Sequence, residues 1–256
     1  MKHINLNADL GESFGPWRMG EDAALLQVVA SASIACGFHA GDPTVMRRTV
    51  RQALDAGASL GAHPGWPDLQ GFGRRPMQMS TAEVEALVIY QLGALAALAG
   101  AEGGRLSHVK PHGALSNQAC ADPALAAAIV RAVGAVDAEL ILLAPALSAL
   151  ARAGEDAGLR VALEIFADRA YADDGSLLPR SEAGAVLHEP AAIAAHVLGM
   201  LAAGGVRSAR GKILPCRMDS ICVHGDTPGA VAAARALRTA LEDTGWQIAT
   251  LPELLR

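Results

Sequence analysis

Seven short apolar runs in this chain each end in a turn-like polar cluster. They read INLNADLGES (4–13), ASIACGFHAGDP (32–43), ASLGAHPGWPD (58–68), LSHVKPHGALSN (106–117), ELILLAP (139–145), VALEIFADRAY (161–171) and SICVHGDTP (220–228). A strand of a parallel sheet is covered on both faces, so it appears as a short continuous apolar run. Six of the seven runs lead into His, Asp, Glu or Lys, the place where α/β barrels and sheets build their sites. That repetition predicts one convergent polar site at the carboxyl ends of the strands.

Helical signals separate the runs. Asp42-Pro43 sets a capping carboxylate before a proline at the first helical position, Asp122-Pro123 does the same, and Thr227-Pro228 offers a capping hydroxyl in that place. Ser80 and Glu83 form a capping box. Gly57, Gly158 and Gly245 follow helical stretches, where a left-handed closing residue belongs. Strict β-α alternation over 256 residues has the size and rhythm of a β/α barrel. The runner-up, an open doubly wound sheet, concentrates its site at one switch point and suits the spread of polar clusters less well. A last strand-like run, 246–251, is expected at an edge or closing the sheet. No linker or low-complexity tract interrupts the chain, so one domain over 1–256 is the reading.

The composition excludes some functions. A net charge of −5 gives nucleic-acid binding no support. The start, MKHINLNADLGES, lacks a signal-peptide apolar core. The longest uncharged stretch, 86–101, falls short of the ~20 residues of a membrane span and reads as a buried Ala/Leu helix. Four cysteines without CxxC spacing point to reduced thiols in a cytoplasm.

Several clusters carry candidate chemistry. Asp9 and Glu12 after strand 1 are two carboxylates able to divide acid and base roles or ligate a metal. His39 sits in a Gly-rich turn, and Asp42 reads as a helix cap. The 61–75 loop brings His63, Asp68, Arg74 and Arg75; arginine suits a carboxylate or phosphate, although at least one of the pair is expected in a structural ion pair. His108, Lys110 and His112 alternate along an extended segment and share one side. Lys110 among apolar neighbours needs a partner, and Glu164 inside an apolar strand is either a functional carboxylate or the other half of a buried ion pair with it. Asp168 and Arg169 follow strand 6. His224 and Asp226 end the last run, with His224 the better catalytic candidate. Gly211-Lys212 fails the phosphate-loop motif, and no GxGxxG fingerprint follows strand 1.

Taken together, NADLGESFGPW, IACGFHAGDP, GAHPGWPDLQGFGRRPM, LSHVKPHGAL, EIFADRAYADDGSLLPR and DSICVHGDTP resemble the LamB/YcsF family. The blocks occur in order and span nearly the whole chain. The resemblance implies a distorted seven-stranded β/α (TIM-like) barrel related to glycoside hydrolase and deacetylase barrels. It implies ATP-dependent opening of 5-oxo-L-proline to L-glutamate, as the A component of a 5-oxoprolinase that also needs subunits B and C. Asp9, Glu12, Lys110, His112, Glu164 and His224 are then the catalytic candidates, with Arg74, Arg75, Asp168 and Arg169 binding substrate. By analogy with deacetylase barrels, Asp9, His39 and His63 are candidate ligands of a divalent metal. Two positions depart from the expected blocks: Ser116 stands where Tyr is expected, and Ser33 where Asn is expected. Alternative readings are a metal-dependent amidase or deacetylase acting on carbohydrate, and a non-catalytic 5-oxoproline-binding subunit.

Overall fold

The structure, a computed structural model, describes residues 2–223 and 229–255. Its order is β1 (Lys2–Leu10), α1 (Asp22–Leu25), β2 (Ser31–Ala35), α2 (Pro43–Asp55), β3 (Ser59–His63), α3 (Thr81–Ala101), β4 (Leu106–Val109), α4 (Gly113–Ala121), α5 (Pro123–Val136), β5 (Ile141–Pro145) and α6 (Ala149–Asp156). Then follow β6 (Arg160–Phe166), α7 (Pro190–Ala203), β7 (Gly205–Arg207), β8 (Ile213–Pro215), β9 (Ser220–Val223), α8 (Ala230–Asp243), β10 (Trp246–Ile248) and α9 (Leu251–Leu254).

Strands β1 to β6 pair in sequence, all parallel, and β9 pairs with both β6 and β1. The sheet therefore closes into a seven-stranded barrel, and the open-sheet alternative falls. Each of its strands is one of the seven apolar runs. β10 adds to the outside of closure, pairing Lys2–Ile4 of β1 with Trp246–Ile248. Between β6 and β9 the simple alternation breaks. A long loop, α7 and the antiparallel β7–β8 hairpin replace a single crossover helix. Arg169 straps that loop, its guanidinium donating to the carbonyls of Leu178 and Ala185.

Three of the expected caps form, while Thr227-Pro228 lies outside the described residues and α8 follows Gly229 without a side-chain cap. Asp42 accepts from the backbone N–H of Thr44 and Val45, Asp122 from Ala124 and Leu125, and Ser80 with Glu83 closes its box. That box starts α3 earlier than its uncharged stretch suggests. The resulting 21-residue helix, of hydropathy 1.7, is long and apolar enough to cross a membrane by length and composition. Here it packs on β3 and α5, burying Val84, Val88, Leu92 and Leu95.

The barrel interior is polar as well as apolar. Asn5, Asn7 and Asp9 alternate along β1, and period two turns all three toward the axis. Asn5 donates to Ser31 Oγ at 2.8 Å and to the Ala249 carbonyl at 2.7 Å. Ser220 donates to Asn5 Oδ1 at 2.6 Å, and Asn7 donates to Ser220 Oγ at 2.9 Å and Glu164 Oε1 at 2.8 Å. His108 lies over Gly61, its register partner on β3. It donates toward Ser107 Oγ at 2.9 Å, since that hydroxyl spends its own proton on the Leu60 carbonyl. Burial, then the Lys110 charge, pulls its imidazole down to about 3. A Cβ at Gly61 would collide with the His108 ring. Gly61→Ala is therefore expected to cost about 1–3 kcal/mol by overpacking. A thermal melt checks it, and His108→Ala in the same chain should recover part of the loss.

Candidate active site

The strand ends open into a cavity of about 780 Å³. Asp9, Glu12, His63, Lys110 and His112 line its acidic and imidazole side, and Arg74, Arg169 and Ser116 are also in its wall. His39 and Glu164 lie directly behind that lining, 0% and 1% exposed. His224 lies outside the described residues.

Lys110 organises one half of the site. Its ammonium is 2.9 Å from Asp9 Oδ1 and 3.0 Å from Glu164 Oε1. It also donates to Asn7 Oδ1 and contacts Cys222 Sγ, both at 3.0 Å. Burial alone would pull the ammonium down, but the facing Asp9 and Glu164 carboxylates leave it well above the usual lysine value. Lys110 is thus a fixed cation, held by carboxylates from β1 and β6. Burial keeps Cys222 a neutral thiol, raised well above the usual value.

Glu12, His39, His63 and His112 form the other half, with donor atoms all within 4.8 Å of one another. His63 Nδ1 lies 2.5 Å from the Lys110 carbonyl, and His112 Nε2 lies 2.8 Å from the Phe72 carbonyl. A carbonyl only accepts, so both of those nitrogens carry protons. The opposite nitrogens, His63 Nε2 and His112 Nδ1, face each other at 3.0 Å. His39 stacks on His112, ring centroids 3.7 Å apart, and neither of its buried nitrogens has a hydrogen-bond partner. His39 Nε2 is 3.4 Å, and His112 Nδ1 3.6 Å, from Glu12 Oε1. Burial, then neighbouring histidines, holds His39 and His112 well below the ordinary imidazole value, so both are neutral.

Local backbone serves these rings. Phe72 has φ +54, unusual for a non-glycine residue, and its carbonyl meets His112. At Gly73, φ +61, a Cβ would stand 2.7 Å from His39 and 2.9 Å from His112. The Gly-rich 71–73 turn is what lets the backbone close over two imidazoles.

The donor set fits a divalent cation: imidazoles, a carboxylate and orphaned buried nitrogens. It differs from the expected Asp9, His39 and His63. Glu12 and His112 join the two histidines, while Asp9 spans Lys110 and His63, its Oδ2 3.3 Å from His63 Nε2. Of the arginines, Arg74 lies over the Phe72 ring at 5.0 Å and lines the cavity. Arg75 instead pairs with Asp68, whose carboxyl it holds down at about 2. Asp168 lines a separate small cavity with His188 and Ile193. The sequence reading missed Asn7, which positions Glu164 and Lys110; the N-x-N-x-D alternation of 5–9 is the signal that could have found it.

The closed seven-stranded barrel, with carboxylates, imidazoles and a buried lysine at its carboxyl mouth, has the architecture of the deacetylase-type β/α barrels. A T48 deacetylase superposes over 99% of this chain and 90% of its own with TM-score 0.52, at 15% identity, a likeness of fold alone. The chain belongs to the LamB/YcsF family, whose model matches residues 4–256. It is 69% identical to the 5-oxoprolinase A component of Azoarcus sp. (strain BH72), over 99% of both chains. A crystal structure of a lactam utilization protein from Thermus thermophilus superposes over 98% of this chain and 100% of its own, with TM-score 0.92 and 45% identity.

Proposed function

We propose that this chain is the ring-opening subunit of an ATP-dependent 5-oxoprolinase, hydrolysing 5-oxo-L-proline to L-glutamate together with subunits B and C. Whole-length likeness to proteins named for that activity and for lactam utilization supports the reading. The observation that carries it is Lys110, clamped between Asp9 and Glu164 beside a cluster of three imidazoles.

A five-membered lactam is a poor electrophile. Opening it needs a polarised carbonyl, an activated water and a proton for the departing nitrogen. Asp9 is the base in this scheme, because it is the carboxylate that touches both Lys110 and the imidazoles. Lys110 stabilises the negative charge that develops on the amide oxygen when water adds, and Asp9, protonated by that water, gives the proton to the ring nitrogen as the C–N bond breaks. Glu164 and Asn7 hold Lys110 in place. Arg74 receives the substrate carboxylate at the cavity wall. A divalent cation held by Glu12, His39, His63 and His112 would supply Lewis-acid polarisation. ATP spent in the complex would phosphorylate the amide oxygen and so activate the carbonyl carbon toward water; C–N cleavage then leaves an acyl phosphate, and a second water releases phosphate and glutamate. The chain shows no phosphate-loop sequence, so we assign nucleotide handling mainly to the partner subunits. Four free cysteines suit work in a reducing cytoplasm.

The test is glutamate formation from 5-oxoproline, with and without ATP and subunits B and C. Coupled ATP and lactam hydrolysis is expected only with all components. A carbohydrate amidase would instead deacetylate N-acetylated sugars with this chain alone.

A further inference from the structure

The geometry points to a site for one divalent ion of the zinc class, ligated by Glu12, His39, His63 and His112, with Asp9 and Lys110 outside its ligand set. The site stands whichever substrate is turned over.

The argument is one of converging donors. His63 Nδ1 and His112 Nε2 each donate to a backbone carbonyl, at 2.5 Å and 2.8 Å. Their opposite nitrogens then confront one another at 3.0 Å, with Asp9 Oδ2 3.3 Å from His63 Nε2. The Glu12 carboxylate adds an acceptor 3.6 Å from His112 Nδ1. His39 brings a fully buried imidazole with no partner on either nitrogen. A shared proton answers the 3.0 Å contact alone. A water supplies two hydrogens and leaves His39 unmet. A cation answers all four groups at once.

The spacing agrees. Zinc bonds of about 2.0–2.1 Å in a tetrahedral array put donors roughly 3.3 Å apart. The observed separations are 3.0, 3.4 and 3.6 Å. The two N–H···O=C bonds are also the outer contacts that fix the tautomer of a metal-bound histidine. Three imidazoles and one carboxylate favour zinc or cobalt over magnesium or calcium, which take oxygen donors. Asp9 is set outside the ligand group: Lys110 Nζ holds its Oδ1 at 2.9 Å and its Oδ2 lies 3.3 Å from His63 Nε2, but the donors that all converge within 4.8 Å of one another are those of Glu12, His39, His63 and His112.

The test needs no substrate. The full chain, stripped by chelator and checked for folding by circular dichroism, is titrated with ZnCl2 and CoCl2. Binding is followed by calorimetry, elemental analysis and the visible d–d bands of cobalt. One ion per chain is expected, with the intense bands of a low-coordinate site. Glu12→Gln, His39→Gln and His112→Gln should each weaken binding by about 10²-fold or more, whereas Asp9→Asn and Arg75→Ala should keep one ion per chain. If a histidine variant does not fold, Glu12→Gln and the wild-type stoichiometry carry the result. A folded wild-type chain that binds no zinc at micromolar concentration overturns the site. So does an ion kept at full affinity by Glu12→Gln and a folded histidine variant, or lost from Asp9→Asn.

Discussion

Lys110→Met should be the most damaging single substitution in this chain. It leaves Glu164, 1% exposed, without its cation, and strands Asp9 a short distance away. Breaking a buried ion pair by removing one partner costs about 3–5 kcal/mol, because the surviving charge stays buried. For a chain of this size that is a fall in melting temperature of roughly 6–20 °C. Glutamate formation should fall by ~10² or more, as expected for loss of a charge that meets the developing oxyanion. Two further measurements separate this account from a simple packing defect. Adding Glu164→Gln should recover much of the lost stability, since the stranded charge is gone, while leaving activity absent. The deficit should also shrink as pH falls. Protonation at low pH removes the uncompensated buried charge, so folding is least impaired there. A Lys110→Met chain with an unchanged melt would show that Glu164 finds its compensation elsewhere.

The same residues show how far the sequence could be read. The barrel was legible because burial on both faces leaves an unmistakable run of apolar residues, and because α2, α3 and α5 begin with caps written in the sequence. Lys110 and Glu164 were legible as a pair for a related reason: an ionisable side chain inside an apolar strand must find a partner. What could not be read is which of several convergent groups touch. Asp9 and Glu12 are three residues apart, and pattern alone treats them alike. In the fold, β1 ends at Leu10, Gly11 turns with φ +70, and the two carboxylates part company. One joins Lys110 and the other joins the histidines. His112 looks in sequence like a companion of Lys110, but the strand stops at Val109 and the chain turns into α4, which hands His112 to His39 and His63. Arg74 and Arg75 are indistinguishable neighbours until Asp68 claims one of them. The excursion between β6 and β9 escapes because its hairpin strands are three residues each, too short to carry a period.

Asp9→Asn is expected to separate chemistry from assembly. The amide keeps the shape of the side chain and still meets Lys110, but it cannot take a proton from water. Glu164 remains beside Lys110, so the buried charge keeps one counterion and the melt should move far less than in Lys110→Met. In the complex with subunits B and C, glutamate formation should drop by ~10² or more, the scale of a lost general base. Copurification of the three subunits should be unaffected. If the base acts after ATP has been spent, ATP hydrolysis will continue and become uncoupled from glutamate; if ring opening must precede product release, both will stall together. Either pattern places Asp9 on the reacting atoms. Full activity in Asp9→Asn would remove it from the mechanism and shift the activation of water, among the described residues, to the imidazole cluster. Ring opening by the isolated wild-type chain without ATP would go further. It would mean that this barrel is a self-sufficient amidase, with the partner subunits serving some step other than activation of the lactam.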